Sequence, residues 1–292
     1  MGQAKQYLRP SSIDEAVRAL AAANGGGRAL AGGTDIIVDV REGRRQVDLL
    51  VDLKAIPELT AIDVDGAGGA RIGAATPCYR IAEDTRLRRA YPGLVDAASL
   101  IGGVQIQSRA SLGGNICTSS PAADSAPILI ALGATCVIAG PTGERRLPVE
   151  QFFTGPRQNV LQDGEIVVAI ELPPPVPRSG SAYLRFIPRN EMDIAVVGAG
   201  VWIRLDGETI AEARVGLGAV APTPLLVVEA GRALAGKPAT RETFEAAAEA
   251  ARAAAKPISD MRGSDRQRIH LAGVITRRAI ETAVQRARES QS

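Results

Sequence analysis

The residues best suited to chemistry in this sequence are small ones. Two segments, AGGTD at 31–35 and SLGGN at 111–115, place a glycine pair between a short apolar lead-in and a polar side chain. Glycine lets the backbone pass close to a ligand and take positive φ, so successive N–H groups can converge on an anion. Hydroxyl and amide groups alongside add donors without bulk. Two such loops, some eighty residues apart, can grip one pyrophosphate from two sides. A chain with 31 glycines holds Gly-Gly pairs by chance, so neither loop is decisive alone. The second has a longer context. RASLGGNICTSSPAAD, over 109–124, contains almost nothing bulky, offers hydroxyls, an amide and an acid, and leads into an apolar helix candidate.

Other motifs fail on their surroundings. GRALAGKP (231–238) begins like a phosphate-binding GxxxxGK, but Pro238 stands where a magnesium-binding Ser or Thr is needed. A helix C-terminus capped by Gly236 is expected there. GLGAVA (216–221) resembles a dinucleotide fingerprint, yet Pro222 and Pro224 fall where its helix must begin, so a strand end is expected. Cys78, Cys117 and Cys136 lack paired spacing, and His270 is the one histidine. A zinc site, an iron–sulfur cluster or a Ser-His-Asp triad on this chain is therefore not expected, and no catalytic acid or base is nominated.

The elements that position the two loops follow from periodicity. Ser12 to Glu15 has capping-box spacing and opens a helix to about residue 23, closed by NGGG. Strands are expected around 47–53 and 70–76, and broken helix over 78–100. A helix over 125–132 is followed by strands at ATCVIAG and EIVVAIEL. Prolines at 173–175 and 177 mark a domain boundary. Beyond it, AYLRFIPR, AVVGAGVWIRL and TIAEARVGLGAV read as three antiparallel strands, and the remainder as helices.

The chain has 292 residues, enough for two domains, and is 46% apolar. A net charge of +2 gives no case for nucleic acid. No apolar run approaches the roughly 20 residues of a membrane-spanning helix. The start lacks the apolar core of a secretory signal, so a cytoplasmic location is expected.

AGGTD, then QIQSRASLGGNICTSSPAADSAPIL, then PRNEMDIAVVGAG, resembles the FAD-binding medium subunit of the molybdenum hydroxylases, the xanthine dehydrogenase and aerobic carbon monoxide dehydrogenase type. The likeness extends through GLGAVAPTPLLVVEA and DMRGSDRQRIHLAGVITRRAI. It implies an α+β fold: an FAD-binding domain of two α/β subdomains (vanillyl-alcohol-oxidase/PCMH type) over 1–176, then a small α+β domain with a three-stranded antiparallel sheet and helices over 177–292. It also implies FAD contacts. Ala29, Leu30, Ala31, Gly32, Gly33, Thr34, Asp35 and Ile36 match the first pyrophosphate loop. Ser111, Leu112, Gly113, Gly114 and Asn115 match the second. Ile101 would lie near the flavin, Asp124 would bond polar groups of FAD, and Val167 and Arg185 match further contact positions. Asp193 and Ile194 would approach the isoalloxazine. Core packing alone is the other reading of Val167 and Ile194.

The sequence departs from the family at Gln107-Ser108, where Arg-Asn is usual, and at Gln267, where an aromatic is frequent. It lacks the cysteine-rich insertion of the 4-hydroxybenzoyl-CoA reductase branch. The resemblance implies an oxidoreductase flavoprotein that takes electrons from [2Fe-2S] clusters and passes them to NAD+, oxygen or a quinone. The molybdenum cofactor is implied on a large subunit and the clusters on a small one, as a dimer of heterotrimers. A self-sufficient FAD oxidoreductase and a non-enzymatic phosphate-ligand module are the competing readings.

Overall fold

The computed structural model describes residues 4–290. Residues 1–3 and 291–292, the outer ends of the two expected domains, lie outside the described residues. The first helix, Ile13–Ala22, is capped as its sequence demands: Ser12 Oγ accepts from Glu15 N at 3.2 Å. Glu15 reaches back to Ser11 N at 2.8 Å, one residue earlier than the simplest capping box. Ala16, Val17 and Leu20 form its buried stripe.

That stripe packs near a three-stranded parallel sheet, in the order Gln6–Leu8, Leu49–Asp52, Gly27–Leu30. AGGTD therefore leaves the carboxyl end of a parallel strand, where open α/β sheets commonly bind ligands, and turns into the helix Ile36–Arg41. A second, antiparallel sheet runs Ile62–Val64, Ala70–Gly73, Ile166–Leu172, Thr135–Gly140, Gly143–Pro148. Its central strand is buried on both faces, which is why EIVVAIEL is a nearly continuous apolar run. Val167, Ile170 and Leu172 enter a large core with the helices of residues 78–131. Ile166, Val168 and Ala169 enter a smaller core with the first helix.

The third sheet holds the expected long strands, Ser179–Phe186, Val197–Asp206 and Thr209–Gly218. It is five-stranded rather than three-stranded, because Leu225–Leu226 and Lys237–Pro238 add to the strand 209–218. Two-residue strands carry no periodicity for a sequence to display. The 25-residue helix Asp265–Glu289 packs against strands 179–186 and 197–206. The helix Ser125–Ala131, from the first half of the chain, packs against strands 197–206 and 209–218. Its backbone lies directly on glycines of this sheet: a Cβ at Gly200 or Gly216 would overlap the backbone of Pro127 and Ile128. GLGAVA is thus a strand end whose glycines admit a helix. Arg286 joins the halves again, its guanidinium forking onto Asp96 at 2.6 and 3.1 Å.

The decoy at 231–238 is a helix, Val228–Leu234, followed by Gly236 at φ +73. The larger departure from expectation is at SLGGN. Residues 112–115 are not loop but the first turn of a helix, Leu112–Thr118. Helix propensity argues against adjacent glycines inside a helix. Packing overrides it, because a Cβ at Gly113 would sit 2.5 Å from both Cβ and O of Ala74.

Candidate functional site

The two glycine segments touch. Gly32 lies so close to the 109–110 backbone that a Cβ there would overlap the carbonyl of Arg109. Thr118 Oγ1 donates to Asp35 Oδ2 at 3.2 Å, a second link across the same seam. Lys54 supports the first loop from below, its ammonium donating to Ala31 O at 2.7 Å and to Asp52 Oδ1 at 2.6 Å. Ser111 caps the second, accepting from Gly114 N at 3.2 Å. Asn115 Oδ1 accepts from Ser125 N and Oγ at 3.2 and 2.6 Å. A backbone N–H can only donate, so this fixes the amide orientation and leaves the nitrogen as the remaining donor.

Between the segments lies a cavity of about 410 Å³. Its wall includes Ala29, Ala31, Gly32, Gly33, Thr34, Asp35 and Ile36 from the first segment, and Ser111, Gly113, Gly114 and Asn115 from the second. Ile101 and Val167 join them. Leu30 and Leu112 are buried and stand outside that wall. Asp124 and Arg185 are also outside it, in a buried ion pair at 2.8 Å. Burial pushes the Asp124 carboxyl above its ordinary range, against the pull of Arg185 and Tyr183. Asp193 and Ile194 lie on a surface loop. There Arg262 donates to Asp193 at 3.0 Å, holding its carboxyl below the ordinary range, and Ile194 is 52% exposed.

Residues that no motif announces complete the wall. Arg28, Asp39, Arg157, Asn159 and the run 161–166 reach it from separate elements. Asp39 is taken up by Arg157 and Arg44, and Glu165 by a two-pronged contact from Arg145 at 2.8 and 2.7 Å. Two of the cavity's carboxylates are thereby offset, which suits an anionic ligand held mainly by backbone. Cys117 also reaches the wall, but burial pushes its thiol up to about 12, so it is neither thiolate nucleophile nor ready metal ligand. Among the described residues, no group of three or more His, Cys, Asp or Glu side chains is placed to hold a metal ion, and no helix is long and apolar enough to cross a membrane. Gln107 turns inward and donates to Ser99 O at 2.7 Å.

The seam is testable. Gly32→Ala forces the 31–35 and 109–110 backbones apart, and a drop in affinity of about ten- to a hundredfold, the loss of one hydrogen bond to a charged ligand, is the expected outcome in an FAD titration.

Residues 3–175 match the family model described as the FAD binding domain in molybdopterin dehydrogenase. Residues 182–283 match the CO dehydrogenase flavoprotein C-terminal domain. The chain is 35% identical over 279 residues, 95% of each sequence, to a xanthine dehydrogenase FAD-binding subunit of Escherichia coli O157:H7. It is 34% identical to the carbon monoxide dehydrogenase medium chain of Hydrogenophaga pseudoflava, over 95% of this chain and 96% of that one. Among solved structures, a carbon monoxide dehydrogenase from Hydrogenophaga pseudoflava lacking the Mo-pyranopterin moiety superposes with a TM-score of 0.94 at 33% identity, covering 98% of this chain and 99% of that one. Quinoline 2-oxidoreductase from Pseudomonas putida 86 superposes at 0.90 with 28% identity over the full length of both chains.

Proposed function

Because this chain belongs to the family of FAD-binding medium subunits of molybdopterin dehydrogenases, the xanthine and carbon monoxide dehydrogenase type, we propose that it is the electron-transfer flavoprotein of a molybdenum hydroxylase. The observation that carries this reading is the meeting of both glycine segments on one cavity. The residues there fit FAD. Gly114 faces the cavity, and a Cβ on it would meet only Ser111 Oγ, at 3.2 Å, so its open side is available to a ligand. Residues 29–36 would hold the pyrophosphate through the backbone N–H groups of their glycine turn. Residues 111–115 would face it with the Ser111 hydroxyl and the Asn115 amide nitrogen, since the N–H groups of Gly113, Gly114 and Asn115 donate to Ala74 O, Ser111 Oγ and Ser111 O. Ile101 and Val167 supply apolar wall. Asp124 and Arg185 supply a charged pair, with Asp193 and Ile194 on the loop beyond.

Bound FAD would supply the junction between single electrons from [2Fe-2S] clusters and a two-electron acceptor such as NAD+, oxygen or a quinone. The chain's own residues bind, orient and exclude water; its one histidine, His270, is exposed on the last helix and plays no part at the cavity. The parallel and antiparallel sheets flanking the cavity support two subdomains of the vanillyl-alcohol-oxidase type over 1–176, with a second domain over 177–292. A large molybdenum-cofactor subunit and a small [2Fe-2S] subunit are the partners, assembled as a dimer of heterotrimers. Three unpaired cysteines accord with a reducing, cytoplasmic setting. The test is the native complex. Flavin absorbance and copurification with one large and one small subunit are expected; a complex that contains no flavin would refute the proposal.

A further inference from the structure

One buried polar cluster is not part of the cavity wall. Asp124, just before the helix Ser125–Ala131, accepts from Tyr183 Oη on one carboxylate oxygen and from Arg185 Nη1 on the other, each at 2.8 Å. Tyr183 and Arg185 alternate along the strand Ser179–Phe186, so both reach the same face. Tyr183 is 1% exposed and is held from three sides. Its backbone N donates to Asp96 Oδ2 at 3.2 Å, and Asp96 is itself fixed by Arg286. Its ring runs over Gly198 on the neighbouring strand, where a Cβ would stand 2.6 Å from the phenol oxygen. Burial raises the phenol well above its ordinary range, so the group is a permanent O–H donor. Burial, with Asp124 adding, also pushes the nearby Cys78 thiol up to about 12, which keeps it neutral. Arg185 Nε is buried without a partner among the described residues.

We infer that Tyr183 is a positioning residue of the flavin site: its phenol O–H holds the Asp124 carboxylate where it balances Arg185, and so sets the charge that this pair presents to FAD. The inference rests on the reading that Asp124 and Arg185 touch FAD. Without the phenol O–H, one buried carboxylate oxygen loses its donor and the carboxyl is more readily protonated or displaced. The Arg185 charge is then less fully offset. A less balanced cation beside a redox group favours its electron-rich form and makes its midpoint potential more positive.

The experiment uses the full chain, stripped of FAD and titrated with it, as wild type, Tyr183→Phe, Asp124→Asn and the double variant, with flavin potentials measured on each. Tyr183→Phe keeps the ring and removes one hydroxyl. It is expected to weaken FAD about tenfold, the loss of one hydrogen bond to a charged group, and to move the potential positive. Gly198→Ala, which pushes the phenol off Asp124, is expected to do the same. In the Asp124→Asn background the Tyr183→Phe effect should largely vanish. If Tyr183→Phe lowers the melting temperature but leaves affinity and potential unchanged, or acts equally with and without Asp124, the cluster is only a clamp between the halves and the inference is wrong. If neither Asp124→Asn nor Arg185→Ala alters FAD affinity or the flavin spectrum, the reading beneath it fails instead.

Discussion

Gly114→Val is expected to leave a folded protein that no longer retains FAD. A Cβ at Gly114 meets no wall except Ser111 Oγ at 3.2 Å, so the valine methyls extend into the cavity instead of into the core. They occupy the side of the 111–115 segment that the proposed pyrophosphate would face. The substitution costs the short helix little, since valine and glycine are both weak helix formers. The expected readout is loss of flavin absorbance from the purified chain, an FAD affinity lower by a factor of about a thousand (~4 kcal/mol), and a near-wild-type melting curve. Its neighbour behaves differently. Gly113 is pressed against Ala74 at 2.5 Å, so Gly113→Val should disturb folding as well as binding. Normal FAD retention by Gly114→Val would mean that the second segment is not the grip.

Gly216→Ala is expected to be the most damaging small substitution in the second half of the chain. Its Cβ would overlap the carbonyl oxygen of Pro127, which belongs to helix backbone and cannot rotate away. Either the helix Ser125–Ala131 lifts from the sheet or the strand shifts, and both choices open cores on either side. A loss of about 3 kcal/mol follows from overpacking of this kind, corresponding to roughly 5–10 °C in melting temperature for a chain of this size. Asn115 anchors to Ser125 at the start of the same helix, so FAD affinity should fall with the lifted helix. Gly66→Ala is the control: nothing lies within 4 Å of its Cβ, and the melting temperature should not move. Equal stability of the two variants would show that the glycine floor is not the contact joining the halves.

Residue types by themselves singled out the two glycine segments of the candidate site. The small residues of 31–35 and 111–115 line one cavity; Ile101 and Val167, which only the family resemblance pointed to, join it. The segment 157–166 could not be found that way. Its residues mix polar, charged and apolar types with no spacing rule, and those that reach the cavity do so beside the strand Ile166–Leu172, which is central in its sheet. Tyr183 was invisible for a related reason. In AYLRFIPR it is one aromatic in a strand, and its role depends on Asp124, 59 residues away. The helix Leu112–Thr118 reads as a loop because adjacent glycines argue against helix; the Ser111 cap and the close approach of Gly113 to Ala74 hold it in place.

The amino-acid sequence by itself determined which residue types are available for chemistry and the elements that local patterns encode. One histidine and three scattered cysteines give no ligand spacing for a zinc site or an iron–sulfur cluster, and alternation, caps and prolines mark most helices and long strands. It also carried the two glycine segments, whose smallness is a local property. Only the tertiary structure decided that these segments meet across Gly32 and Arg109, that Gly113 serves packing while Gly114 serves the cavity, and that Asp124 is paired by Tyr183 and Arg185. The physical reason is range. Periodicity and capping act within a few residues, whereas close backbone approach and the pairing of a buried charge join residues that only the packed chain brings together.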